Sequence, residues 1–184
     1  ARIDQLYLFT SGLDCSKGRS SADMTLFYRI RSGNEPDAGF SMVVTGRCKD
    51  SSFRQEFPLY FDAGKQFFTI ANPCLWWPAG YGGQPLYRYE AELFIPQADG
   101  SERRIDCKTG SFAFREIALD ESPAASGNAL RFALRVNDVP VFLKGANWVP
   151  VNIFTGAVGE KEYDQRLTLL VEGNINAMRV WGGG

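Results

Sequence analysis

The 184-residue sequence contains no histidine. This absence removes the side chain that most often binds metal ions in proteins and most often acts as a general base. Any catalysis by the chain itself would rest on carboxylates, lysine, tyrosine or cysteine. The sequence has only four cysteines, Cys15, Cys48, Cys74 and Cys107, and no Cys-x-x-Cys pair, which argues against a zinc site. We therefore predict neither a metal ion nor a cofactor.

The cysteines themselves leave two interpretations open. Four thiols can form two disulfides, but a chain of this length does not need covalent cross-links in order to fold. The sequence favours four small, buried thiols on strands.

The sequence also lacks a strong net charge and a long apolar run. Its formal net charge is -1, so we predict no nucleic-acid partner and no binding to anionic membranes. No apolar run approaches the roughly 20 residues that a membrane-spanning helix requires. The first residues, ARIDQLYLF, lack the pattern of a signal peptide. A cytosolic protein and one whose targeting segment has been removed both fit these absences.

Short alternating runs that predict β-strands fill the first two-thirds of the sequence. About seven strands fit between Ile3 and Ile117 at the spacing of roughly 8 to 12 residues that is typical of a sandwich. Ala98–Gly100 predicts a hairpin loop. We predict an immunoglobulin-like β-sandwich over residues 1–120, without the disulfide and tryptophan spacing of antibody domains. The predicted buried faces are Met24, Leu26, Tyr28 and Ile30; Phe40, Met42 and Val44; and Tyr89, Ala91, Leu93 and Ile95.

A polar stretch at 120–128 predicts a domain boundary, and a second region follows over 128–184. The dipeptide Asn137-Asp138 between two apolar runs predicts a hairpin. The segment GEKEYDQRLTLLVEGN then has the apolar spacing of a helix, and Gly173 is placed to end that helix. The run AMRV predicts a further short strand. Strand, helix and strand in this order predict the start of a parallel sheet. The predicted helical face is formed by Tyr163, Leu167, Leu170 and Val171.

Three features are candidates for binding. Trp76 and Trp77 lie in a segment rich in aromatic residues, glycine and proline, where they either stack on a sugar ring or, as we favour, pack against a neighbouring domain. Asn147 and Trp148 follow the run VPVFLKG, which we take as the first parallel strand. They either face a substrate or fill the loop beyond that strand. Arg179 either forms a buried ion pair or contacts a ligand.

Four motifs in this order and spacing, LWWPAGYGGQPLY, FAFRE, LRVNDVPVFLKGANWVP and NAMRVWGGG, resemble glycoside hydrolase family 2 and its β-mannosidase branch. The galactosidase and glucuronidase branches usually place a Ser-His-Tyr-Pro-like run where this sequence has WGGG. The resemblance implies an N-terminal sandwich that is missing here, a middle immunoglobulin-like sandwich, and the truncated βαβ start of a (β/α)₈ TIM barrel. It also implies removal of terminal β-mannose with retention.

The resemblance places both catalytic glutamates beyond Gly184, so no residue of this chain is predicted to be catalytic and the fragment should be inactive alone. Arg179 would lie near the nucleophile, and Trp181 would form part of the mannose-subsite wall. The implied substrate is a β-mannoside or manno-oligosaccharide, and periplasmic, lysosomal and cytosolic relatives leave the compartment open. Apolar faces without the remaining barrel predict self-association. The alternative is a stand-alone sandwich that binds carbohydrate or protein.

Two residues depart from the family pattern. Ala113 replaces a usual glycine in FAFRE, which we take as a packing variation. Asn152 replaces a usual aspartate, which puts in doubt any ion pair or hydrogen bond that the aspartate would make.

Overall fold

A computed structural model of the chain describes residues 1–15, 20–33, 39–49, 51–123 and 130–182. The chain forms two compact units. The first unit contains Ala1–Trp76 and Pro85–Glu116, and the second contains Trp77–Gln84 and Ile117–Gly184. The domain limits given above, 1–120 and 128–184, stay a prediction. Much of the polar stretch between them lies outside the described residues, as do Gly183 and Gly184.

The described residues of the first unit form seven antiparallel strands in two sheets, so the prediction of an immunoglobulin-like sandwich is confirmed. One sheet has the order β1-β2-β5 and the other has the order β4-β3-β6-β7. The strands are β1 (Arg2–Asp14), β2 (Ser21–Arg31), β3 (Ser41–Cys48), β4 (Ser51–Pro58), β5 (Ala63–Ala71), β6 (Tyr87–Pro96) and β7 (Glu102–Phe112).

The core of the sandwich lies between the predicted strand faces. Alternate residues of β2, β3 and β6 are buried because successive side chains of a strand point to opposite sides of the sheet. Met24, Leu26, Met42 and Leu93 are each almost completely inaccessible to solvent. Phe114, which follows β7, is also fully buried and meets the Tyr87 ring edge-on, with 4.7 Å between the ring centroids.

Aromatic side chains cover glycines at several places in the ladders. Gly46 of β3 lies directly opposite Phe53 of β4, and a Cβ added to Gly46 would lie 2.2 Å from the Phe53 ring. Tyr89 covers Gly110 in the same way, with an added Cβ 2.6 Å from its hydroxyl. In each pair, the aromatic ring occupies the space that a side chain on the opposite glycine would need.

The described residues of the second unit form two small sheets and one α-helix. An antiparallel sheet has the order β10-β9-β8, and β11 pairs with β12 in parallel. The elements are β8 (Ile117–Asp120), β9 (Ala133–Val136), β10 (Val139–Val141), β11 (Gly145–Trp148), a 3₁₀ turn (Thr155–Ala157), α1 (Glu160–Glu172) and β12 (Ala177–Val180).

The predicted hairpin is confirmed between β9 and β10. Asn137 and Asp138 form its turn with φ values of 49° and 66°. Both values lie in the left-handed region that a two-residue hairpin turn requires, and Asn and Asp tolerate this region better than most residues.

Helix α1 begins and ends close to the predicted positions. At its start, the Gly159 amide N–H donates to Glu162 Oε2 at 3.1 Å. The helix ends at Glu172, but the left-handed residue that follows is Asn174, with φ 56°, rather than Gly173, with φ -73°. None of the helical residues that the structure describes belongs to a helix with the length and apolarity needed to span a membrane.

The expectation of four buried thiols on strands is wrong for three of the cysteines. Cys48 is buried at the end of β3, whereas Cys74 is half-buried outside the strands and Cys15 and Cys107 are exposed. Cys107 is exposed because it lies on the outward face of β7, where its thiol donates to Glu90 Oε1 at 3.2 Å. No disulfide joins any of the four cysteines, all of which lie within the described residues.

Candidate functional site

The candidate site lies where the two parallel strands of the second unit end. β11 and β12 are paired along their whole length, with Gly145 opposite Ala177 at one end and Trp148 opposite Val180 at the other. Helix α1 connects the two strands. This arrangement confirms the predicted strand–helix–strand order, but it corrects the limits of the first parallel strand. VPV forms β10 of the hairpin, and GANW forms β11, so Asn147 and Trp148 lie within the strand and not in a loop beyond it.

Asn147 and Arg179 are brought together by this register. They are direct partners in the ladder, and the Arg179 guanidinium donates from Nη1 to Asn147 Oδ1 at 3.3 Å. Within the part of the chain that the structure describes, Arg179 is exposed and donates to an amide oxygen, so both the buried ion pair and the ligand contact stay predictions. A guanidinium has five N–H donors, so this single contact leaves donors that can hold an anionic or hydroxyl-rich ligand.

Trp148 belongs to a second, apolar group. Its ring stacks on Tyr163 of α1 with 6.3 Å between centroids and 19° between planes. Strand alternation places Trp148 and Val180 on the opposite face from Asn147 and Arg179. An open groove of about 510 Å³ runs along this side, lined by Trp148, Pro150, Tyr163, Leu167, Met178, Val180 and Trp181.

Trp181 follows β12 directly and continues its ladder. Its amide N–H donates to the carbonyl of Trp148 at 3.1 Å, and its side chain is 42% exposed at the end of the groove. The structure therefore divides the four predicted substrate-binding residues into two pairs. Asn147 and Arg179 form a polar pair, and Trp148 and Trp181 border the apolar groove. Their roles in substrate binding stay predictions.

Asn176 is an important residue that the sequence pattern did not single out. Its side-chain Oδ1 accepts the Lys144 amide N–H at 2.9 Å, and its Nδ2 donates to the Phe142 carbonyl at 2.9 Å. Its own amide N–H donates to the Lys144 carbonyl at 3.0 Å. These hydrogen bonds hold the start of β12 against the segment that leads into β11. An asparagine directly before a short apolar strand is the local signal that could have identified it.

The loop after β11 contains the departure at Asn152. Its side-chain Oδ1 accepts the Phe154 amide N–H at 3.0 Å, which is the local turn bond that Asn and Asp share. Asparagine therefore supplies the hydrogen bond that an aspartate would make to this backbone, without the negative charge.

Carboxylates near the start of the second unit are engaged in local contacts. Asp120 accepts the Ser122 amide N–H at 3.0 Å. Hydrogen bonds from the Ser122 hydroxyl and amide lower the pKa of Asp120, so it is ionised at neutral pH and unsuited to act as a general acid. Among the described residues, no group of three or more His, Cys, Asp or Glu side chains is placed to hold a metal ion.

The two tryptophans of the aromatic segment have different surroundings. Trp76 belongs to the first unit, where the Arg115 guanidinium lies 4.5 Å from its ring centroid. Trp77 belongs to the second unit, where its amide N–H donates to the Gly83 carbonyl at 2.9 Å and its ring covers Gly82. Both rings remain half-buried.

Several curated relatives of the chain are glycoside hydrolases, although no protein-family model matches it. The β-mannosidase of Bos taurus is 38% identical over 109 residues, which cover 59% of this chain and 12% of that protein. The β-mannosidase B of Aspergillus clavatus is 28% identical over 187 aligned positions, which cover 100% of this chain and 21% of that protein. The chain thus spans only 12% to 21% of the length of these two curated relatives.

Solved structures agree with these relatives. The crystal structure of a β-D-mannosidase from Dictyoglomus thermophilum matches with a TM-score of 0.74 and 25% identity, covering 100% of this chain and 22% of that one. An exo-chitosanase from Amycolatopsis orientalis matches with a TM-score of 0.64 and 19% identity, covering 99% and 20%, and shares the fold alone. The chain is therefore similar to a segment of the β-mannosidases, which are glycoside hydrolases of family 2.

Proposed function

We propose that the chain is part of a retaining exo-glycosidase that hydrolyses terminal β-D-mannosyl residues. In this proposal residues 128–184 open a (β/α)₈ barrel, and Asn147 and Arg179 form part of the polar wall of its sugar pocket. The observation that carries the proposal is the in-register pairing of Asn147 and Arg179 near the carboxyl ends of two parallel strands. The carboxyl ends of the strands are where (β/α)₈ enzymes bind their substrates.

The proposed mechanism assigns different tasks to this chain and to the rest of the enzyme. Retaining hydrolysis requires two carboxyl groups roughly 5 to 5.5 Å apart, one as acid/base and one as nucleophile. We assign both to residues outside this chain, so the chain alone should not hydrolyse glycosides. Arg179 would hold the nucleophilic carboxylate ionised and oriented, since a guanidinium binds a carboxylate through charge-assisted hydrogen bonds.

The aromatic residues would then shape the pocket. Trp181 is exposed at the end of β12 and would offer its ring to the C–H face of the mannose. Trp148, stacked on Tyr163, would hold α1 against the parallel strands and support the wall from behind. The proposed partners are accordingly a β-mannoside, the N-terminal sandwich and the remainder of the barrel.

The test uses the full-length parent enzyme and an aryl β-mannoside. Replacing Arg179 with lysine should lower kcat/KM on the order of 100-fold, the usual cost of losing a positioned donor. Trp181→Ala should act mainly on KM. Arg54→Lys is the matched control, because Arg54 lies exposed on β4 and pairs with Glu56 at 3.0 Å. Unchanged kinetics for Arg179→Lys and Trp181→Ala would contradict the assigned roles.

The half-buried rings of Trp76 and Trp77 support a second candidate function, a module that binds carbohydrate without the barrel. Titration of manno-oligosaccharides into the isolated chain separates the two. Binding that Trp76→Ala or Trp77→Ala abolishes supports the module. The absence of binding, together with activity of the parent, supports the glycosidase.

A further inference from the structure

Two cysteines that the proposed function does not use, Cys48 and Cys74, lie at the same end of the sandwich. Cys48 is the last residue of β3 and is 8% exposed. Cys74 lies beyond β5 in the irregular segment and packs against the same hydrophobic core. Both thiols are free. Their separation in the sequence gave no reason to pair them, so their common location is a result of the fold.

Hydrogen bonds fix the Cys74 backbone beside the β3–β4 hairpin. The Cys74 amide N–H donates to the Tyr87 hydroxyl oxygen at 2.9 Å, and the Tyr87 hydroxyl donates to Ser51 Oγ at 2.5 Å. Ser51 is the direct cross-strand partner of Cys48. Since Tyr87 is fully buried, this connection runs through the interior and holds Cys74 against the end of β3.

Both cysteines pack against the same hydrophobic core, and the hydrogen bonds through Tyr87 bring Cys74 to the residue that stands opposite Cys48. Burial, and after it the Cys74 thiol, raise the pKa of Cys48, while Lys49 acts in the opposite direction. Cys48 is therefore protonated at neutral pH, and the half-buried Cys74 is the more accessible thiol of the pair.

We propose that Cys48 and Cys74 are a site of intramolecular disulfide formation, with a small-molecule disulfide such as oxidised glutathione as the oxidant. The Cys74 thiolate attacks one sulfur of the oxidant, which forms a mixed disulfide and releases one thiol. The Cys48 thiol loses its proton to water, and its thiolate attacks the Cys74 sulfur and releases the second thiol. The protein gives up two electrons and two protons, and the oxidant becomes two thiols.

The other cysteines provide an internal comparison. Cys107 contacts a carboxylate instead of a thiol, and burial followed by the Glu90 carboxylate raises its pKa to about 11. A thiol held in this state is a poor nucleophile near neutral pH. Cys107 should therefore remain reduced or form only a mixed disulfide under conditions that close the Cys48–Cys74 bond.

The test treats the folded chain with excess oxidised glutathione at pH 8, followed by intact mass measurement and peptide mapping. We expect a loss of about 2 Da for the Cys48–Cys74 pair, apart from any glutathione bound to Cys15 or Cys107, together with a cross-linked peptide pair containing Cys48 and Cys74. We also expect a rise in Tm, because a cross-link restricts the unfolded chain. The rate should increase with pH, because each exchange step proceeds through a thiolate.

Variants separate this site from unspecific oxidation. Cys74→Ser should abolish the 2 Da loss, whereas Cys107→Ser should leave it intact. Peptide mapping of the unmodified chain supplies the same information should Cys74→Ser fold poorly. The proposal is overturned if Cys48 and Cys74 stay reduced, if either pairs with Cys15 or Cys107 instead, or if they pair only after denaturation.

Discussion

Replacing Gly46 with alanine should destabilise the sandwich by about 1–3 kcal/mol, the usual cost of overpacking a core. A Cβ at this position would lie 2.2 Å from Cε1 and 2.4 Å from Cζ of Phe53. These distances are far below van der Waals contact, so either the ring or the β3 backbone has to move.

The Phe53 ring has little space in which to move. It is 9% exposed, and its centroid lies 5.9 Å from that of Phe68, 6.1 Å from Phe112 and 6.3 Å from Tyr87. Moving the ring therefore displaces an aromatic cluster. Alanine also restricts the unfolded chain, which stabilises by roughly 0.4–1 kcal/mol, but this gain is smaller than the repacking cost.

Urea unfolding followed by far-UV circular dichroism measures the effect. Gly12→Ala on β1 is the matched control, because its added Cβ would meet nothing closer than Asp23 Oδ2 at 3.5 Å. We expect a lower midpoint for Gly46→Ala and a midpoint equal to or above that of the unmodified chain for Gly12→Ala. The double variant Gly46→Ala/Phe53→Leu should recover part of the loss. Equal midpoints for the two alanine variants would refute the reasoning.

Two further predictions concern the second unit. Asn137→Ala should lower hydrogen-exchange protection of the β9–β10 amides by at least about 1 kcal/mol, because alanine resists the left-handed conformation at this turn. Asn137→Gly loses the same buried side chain but accepts this conformation, so it should keep more protection than Asn137→Ala, and equal losses in both variants would rule out this explanation. Ser122→Ala should raise the pKa of Asp120, measured by NMR of its carboxyl carbon. Because the folded pKa of Asp120 lies below its usual value, its contribution to the β8–β9 end is present above about pH 4 and is lost as the pH falls through the folded pKa. A Ser122→Ala titration identical to that of the unmodified chain would contradict this account.

The elements predicted correctly from the sequence are those whose signal is local. Alternation along β2, β3 and β6 identified the sandwich faces, because the buried side of a strand repeats every second residue. Asn137-Asp138 identified a hairpin because few residue pairs accept two left-handed conformations in succession.

Elements that depend on partners far away in the sequence could not be predicted from local sequence patterns. β11 consists of Gly, Ala, Asn and Trp, of which only Trp favours strands by itself, and its parallel partner lies about thirty residues further along the chain. Arg179 and Asn147 were identified as candidates separately, but their contact depends on this pairing. The stacking of Trp148 on Tyr163 and the placement of Cys74 beside the end of β3 likewise arise only after the strands and loops are in place.

Asn176 has a consequence for the geometry of the proposed pocket. Because its amide group fixes where β12 starts, it decides which residue of β12 stands opposite Asn147. A slip of one position would present Met178 or Val180 in place of Arg179 and would exchange a cation for an apolar surface. Asn176 is uncharged and lies three residues before Arg179, yet through the strand register it determines whether the wall of the proposed pocket carries a positive charge.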